Sequence, residues 1–117
     1  LYTSQSRALS TLENLAHLTV IPNIKFKTMV ISLNNNQNIL TINHNELPQN
    51  WQDLSNYPIT QNIGSNWYIN KNSLILKVPS SIIPQEFNYI INTSHPDFQK
   101  NITLSNVENY CFDKRLI

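Results

Sequence analysis

Gly64 is the only glycine among 117 residues, and this scarcity narrows what the chain can fold into more than any other feature. Dinucleotide-binding G-x-G-x-x-G turns and Walker-type phosphate loops need glycines so that the backbone can approach a phosphate closely. Rossmann and P-loop nucleotide binding within these residues is therefore excluded, and any nucleotide must be held another way.

The length suits one domain, and 40% hydrophobic residues suffice for a single modest core. Eight basic and seven acidic side chains leave a formal charge of +1, without the basic footprint that phosphate-backbone binding requires. Direct nucleic-acid binding is not expected. Cys111 is the single cysteine, which excludes an internal disulfide and a cysteine zinc site and suits a reducing cytoplasm. No apolar run approaches the length of a membrane span, and no signal peptide opens the chain; a soluble, cytoplasmic protein is expected. Asn92-Thr93-Ser94 and Asn101-Ile102-Thr103 match glycosylation sequons, but in so asparagine-rich a chain they read as coincidence.

Ser4 and Ser6 are candidate caps for a helix from about Arg7 to His17, in which Ala8, Leu9, Leu12, Leu15 and Ala16 recur at helical spacing. With the stripe centred on Leu12, Glu13 falls about 100° round the helix, at the margin of the apolar face. Pro22 is expected to end the element. Lys25 to Leu33 alternates and is rich in β-branched residues, as a strand requires. A second run, Asn38 to Ile42, follows Asn34-Asn35-Asn36-Gln37, so the two predict a hairpin. A short helical segment is expected near Trp51, and Thr60 to Ile69 predicts a helix presenting Ile63 and Trp67. Ser73 to Val78 predicts a buried strand stopped by Pro79. Phe87 to Asn92, Phe98 to Leu104 and Asn109 to Phe112 predict further short strands. One N-terminal helix followed by strands with helical pieces between them points to the α+β class.

The residue pattern offers few other sites. His17, His44 and His95 lack metal-ligand spacing, so no metal is expected. His95-Pro96 reads as a loop-shaping pair, because proline holds the preceding residue extended. Trp51 and Trp67 are expected to anchor the core, and Lys25 and Lys27 to form a solvated strand face. Ser80 lacks the G-x-S-x-G elbow of a nucleophile, which suits binding, and a serine there commonly bonds its own backbone in a turn.

Leu1-Tyr2-Thr3, the helix-like run carrying Glu13, Lys77-Val78-Pro79-Ser80, Phe87-Asn88-Tyr89 and His95-Pro96-Asp97-Phe98 occur in an order and at spacings that resemble the RES domain of bacterial toxins. Supporting landmarks are Leu47-Pro48 with Trp51, Thr60-Gln61 with Gly64 and Trp67, and Phe112-Asp113 with Arg115-Leu116. The resemblance implies an ADP-ribosyltransferase-like curved split β-sheet with a few short helices, residues 1–117 forming a single RES domain that lacks its N-terminal segment. It implies an enzyme that cleaves the nicotinamide-ribose bond of NAD, by hydrolysis or with inorganic phosphate as co-substrate, and that needs no cofactor. Glu13 and Tyr2 take the catalytic positions. A fixed carboxylate stabilises the oxocarbenium-like transition state of such a cleavage, and a tyrosine eleven residues earlier can stack on and hydrogen-bond nicotinamide or adenosine. Ser80 and Asn88 take the substrate-binding positions: Ser80 to orient the diphosphate or the glutamate, Asn88 to meet the ligand or to tie two backbone segments.

The expected partner is an Xre-type helix-turn-helix antitoxin, through which any DNA contact would run; dimerisation stays open. The family's arginine stands in a segment before the tyrosine, and neither Arg7 nor Arg115 occupies its position, so residues 1–117 alone are expected to turn over NAD weakly or not at all. Two other functions fit the same residues. One is a catalytically impaired homologue that retains the antitoxin-binding surface; the other is an ADP-ribosyltransferase acting on a macromolecule.

Overall fold

In the computed structural model, which describes residues 1–18, 20, 25–34 and 38–116, helices and two separate sheets alternate irregularly along the chain. Strand β1 (Tyr2–Ser4) leads into helix α1 (Arg7–Leu15), followed by β2 (Phe26–Leu33) and β3 (Ile39–Thr41). Two 3-10 turns, His44–Glu46 and Leu54–Asn56, precede α2 (Tyr57–Asn70); then come β4 (Ile75–Pro79), β5 (Phe87–Ile91), the single-turn helix α3 (Phe98–Asn101) and β6 (Ile102–Tyr110). The α+β class is as expected. The stop at Pro22 and the turn through Asn35, Asn36 and Gln37 lie outside the described residues.

One sheet has the order β1-β5-β4-β3, with β3 parallel to β4 and the other pairs antiparallel. The other consists of β2 and β6, antiparallel over the whole of β2. The expected hairpin of β2 with β3 does not form: the two strands belong to different sheets. Local turn chemistry favoured adjacency, but β2 is long enough to pair along nearly all of β6, and three-residue β3 finds its partner beside apolar β4. The strands expected at Phe98 to Leu104 and Asn109 to Phe112 also change. Phe98–Asn101 is helical, with Asn101 N donating to Asp97 O, and one continuous strand spans the polar residues between the two expected ones. Asn106 and Glu108 favour strands weakly, yet the ladder to β2 imposes the conformation, since strand preference depends on context. A bulge at Val30/Ile31 leaves Ser105 unpaired, and its hydroxyl bonds that of Ser32.

The core lies where the sheets face each other. Leu74, Ile75 and Ile91 are buried there, with Ile31, Leu33, Ile39, Phe98 and Ile102 packed around them. Each fully buried aliphatic side chain contributes roughly 1.5–3 kcal/mol. Ile75 and Leu76 of β4 are both apolar and buried because the strand is central and covered on both faces there. Side chains alternate along a strand, so Leu76 and Val78 turn away from the second sheet, together with Tyr2, Ser4, Asn88 and Ile90 of the neighbouring strands. This face meets α1 and α2. Trp67 is the buried residue of α2, and its Nε1–H donates to Ser73 Oγ at 2.7 Å, which in turn donates to Ile75 O. Trp51, also expected in the core, is half-buried in a turn beside His44, ring centroids 5.9 Å apart.

Candidate active site

α1 starts at Ser6, whose extended backbone and hydroxyl, accepting from Leu9 N at 3.1 Å, form a regular N-cap, a device that contributes about 1 kcal/mol. The helix buries one residue, Leu9. Glu13 follows at i+4, on the same face one turn on. Leu12, the expected centre of the apolar stripe, is 38% exposed. The helix is rotated so that Leu9 and Glu13 face the sheet, because the hydrogen-bond donors for the carboxylate stand there.

Two donors meet one carboxylate oxygen. Ser80 Oγ donates to Glu13 Oε1 at 2.7 Å, and Asn88 Nδ2 donates to the same atom at 2.7 Å. Both residues are completely buried. Ser80 stands immediately after β4, where the chain turns and the backbone N–H groups of Ile82 and Ile83 donate to its hydroxyl, each at 3.1 Å. One donor and two acceptor sites are all that a serine hydroxyl has, so Ser80 is saturated by the protein. Asn88 has both amide hydrogens committed, since Nδ2 additionally donates to the Tyr2 hydroxyl at 3.0 Å, and its Oδ1 accepts from Ser4 Oγ at 2.7 Å. Ser80 and Asn88, expected to bind substrate, therefore engage Glu13 rather than open space. Of the two roles read for Ser80, the geometry places it on the glutamate. Ser81, its exposed neighbour, takes no part.

Glu13 itself is half-buried, and among the described residues its Oε2 accepts no hydrogen bond. Tyr2 is 62% exposed as a residue, but its hydroxyl sits on the buried Asn88 amide. Desolvation there, and then the negative charge of Glu13, push the phenol above the usual tyrosine value, against the opposing effect of the Asn88 hydrogen bond.

A mainly apolar cleft of about 680 Å³ opens between α2 and this face of the sheet, with Leu76, Val78, Ile90, Trp51 and Trp67 among its walls. Tyr2 lines it, as do Pro79 and Ser81 on either side of Ser80. Tyr2 is the member of the cluster that lines the cleft; Ser80 and Asn88 are fully buried and Glu13 is half-buried. A second hollow of about 530 Å³ lies on the opposite face, between the two sheets. Tyr2 borders both because β1 is an edge strand, but the hydrogen-bonded cluster occupies the α2 side, so the 680 Å³ cleft is the one next to the cluster. Among the described residues no three His, Cys, Asp or Glu side chains converge as metal ligands would. His95 uses Nδ1 to accept from Asp97 N at 3.1 Å, a loop contact.

Ser4 was legible only as a possible helix cap. Its link to the site comes from strand alternation, which puts it on the same face as Tyr2, directly across from Asn88.

Fold and site together define an α+β protein in which a helix carboxylate, gripped by two buried donors from a neighbouring sheet, stands beside an apolar cleft. The model of the RES domain family matches residues 1–113, and the chain belongs to that family. It is 30% identical over 117 residues to "Toxin Res" of Yersinia enterocolitica, covering 99% of this chain and 76% of that protein. It is 34% identical over 118 residues to "Toxin Res" of Photorhabdus laumondii, covering 99% and 74%. The "Prs ADP-ribosylating toxin" of a Sphingobium strain is 29% identical over 120 residues, covering 99% and 73%.

Proposed function

We propose that this protein is a toxin that cleaves NAD at the nicotinamide-ribose bond, with Glu13 as the catalytic carboxylate. The supporting observation is the double hydrogen bond to Glu13 Oε1, which leaves Oε2 as the oxygen able to face a ligand. As the C–N bond breaks, its electron pair leaves with nicotinamide and the ribose carbon becomes cationic; a carboxylate already held in place stabilises that charge without reorganising. Tyr2 supplies a ring edge and a hydroxyl at the cleft for the base or the sugar. An oxygen of water or phosphate then bonds the ribose carbon and gives up its proton, leaving ADP-ribose or its phosphate ester. Ser80 and Asn88 act through Glu13 as positioning residues.

Incubating the full-length protein with NAD, with and without phosphate, and separating the products by chromatography tests this. Release of nicotinamide that is lost in Glu13→Gln is the expected result; undiminished release in the variant overturns the assignment.

A second reading is favoured by the similarity to a protein named an ADP-ribosylating toxin: the acceptor is then a macromolecule, and mass spectrometry finds ADP-ribose attached to a protein rather than free. Under either reading the partner is an antitoxin, of the Xre helix-turn-helix type, that covers the cleft.

A further inference from the structure

The hydrogen bonds around Asn88 have a direction, and Ser4 starts them. A carboxylate oxygen can only accept, so the group that Asn88 presents to Glu13 must be its NH₂. That choice turns Oδ1 toward Ser4, 2.7 Å away, and obliges the serine hydroxyl to donate. It also points the second amide hydrogen at the Tyr2 oxygen, 3.0 Å away. Tyr2 thus receives a hydrogen bond from inside the protein, and among the described residues its own proton has no acceptor. Tyr2 lines the apolar cleft, so that proton is left for an acceptor there.

We propose that Ser4 is a positioning residue of the site: by donating to Asn88 Oδ1 it locks the amide that both steadies Glu13 and sets the Tyr2 hydroxyl as a hydrogen-bond donor to an acceptor oxygen of the bound substrate. The catalytic part of this proposal rests on the NAD-cleaving function proposed above, whereas the coupling from Ser4 to Tyr2 does not. A buried amide with an unsatisfied oxygen tilts or flips, and a flipped amide would place its oxygen against the Glu13 carboxylate. The three residues fit the task sterically: Tyr2 and Ser4 are alternate residues of an edge strand, on the same face of the sheet as Asn88, which pairs with Ser4.

The test compares wild-type full-length protein with Ser4→Ala, and with the isosteric pair Ser4→Thr and Ser4→Val. Threonine keeps the donor and valine removes it, while both suit a strand, so the pair separates hydrogen bonding from folding. With the tyrosine ring carbon bearing oxygen labelled with carbon-13, magnetic resonance follows the titration of Tyr2, assigned through Tyr2→Phe. Weakening the Asn88 bond removes an influence that lowers the phenol's pKa, so Ser4→Ala and Ser4→Val are expected to titrate at higher pH than wild type and Ser4→Thr to match it. In the turnover assay, kcat is expected to fall roughly tenfold in the two variants without a donor, with KM changed less than about threefold, and to recover in Ser4→Thr.

A Tyr2 titration identical in wild type, Ser4→Ala and Ser4→Val overturns the proposal whatever the turnover. A shifted titration with unchanged kcat overturns the positioning role. A shifted titration in a protein that never cleaves NAD upholds the coupling and refutes the NAD reading instead.

Discussion

Ser80 Oγ donates to Glu13 Oε1 across 2.7 Å, joining the end of a central strand to a helix 67 residues earlier in the chain. Through this contact and its partner from Asn88, the carboxylate is fixed by the sheet rather than by its own helix.

Replacing Glu13 by glutamine tests the charge separately from the shape. The glutamine carbonyl can still accept from Ser80 and Asn88, so the fold is expected to hold, with a melting temperature within a few degrees of wild type. Nicotinamide release is expected to fall roughly 10²–10³-fold, the loss typical of removing one preorganised electrostatic contact. Chromatographic quantitation of nicotinamide beside a thermal melt checks both halves.

Ser80→Ala is expected to cost stability as well as rate. It leaves the Ile82 and Ile83 N–H groups without their acceptor and strips one donor from half-buried Glu13. Leaving buried groups unpaired costs about 1–3 kcal/mol, visible as a lower urea midpoint with an unchanged slope. The rate loss should fall on kcat, because Ser80 is fully buried and its hydroxyl is occupied by protein partners.

Alkaline stability should depend on Tyr2. Its phenol is raised in the folded protein, so the native state binds this proton more tightly than the unfolded chain does. The resulting stabilisation is fully present below the unfolded value, about pH 10, and is lost as pH rises through the folded value. Denaturant titrations from pH 8 to 11 should show a falling stability in wild type, with a shallower fall in Tyr2→Phe. Equal slopes in the two proteins would contradict this.

The bidentate pair between Arg7 of α1 and Glu108 of β6, 2.7 and 2.8 Å, is solvent-exposed. Each group is shifted toward its charged form by the other, the arginine upward and the glutamate downward, so what the pair contributes is lost as pH falls through the lowered glutamate value. Exposed pairs contribute little and are screened by salt. Glu108→Gln should therefore alter the melting temperature slightly at low ionic strength and not measurably in about 1 M salt, where the Debye length is about 3 Å. A large loss that persists in high salt would mean that the pair, instead of the core, holds the first helix to the two-stranded sheet.

Elements whose pattern is local were legible in the chain. The Ser6 cap and helical spacing marked α1, the apolar run marked β4, and alternation marked β2. Partnership was not. The run at Ile39 and the preceding strand resembled a hairpin because nothing within either reveals which distant strand will offer the longer ladder. Likewise Asn106 and Glu108 gave no sign that they would be drawn into one nine-residue strand.

By themselves, the residues determined the class of the fold, exclusion of glycine-loop nucleotide binding, membership in the RES family, and which four side chains to suspect. Tertiary structure alone decided that Ser80 and Asn88 converge on one oxygen of Glu13, that Leu9 rather than Leu12 seats the helix, and that Ser4 joins the cluster. The physical reason is range. Helical periodicity and capping act over one or two turns, whereas a hydrogen bond between residues 67 or 75 positions apart exists only after strands from different parts of the chain have taken their places.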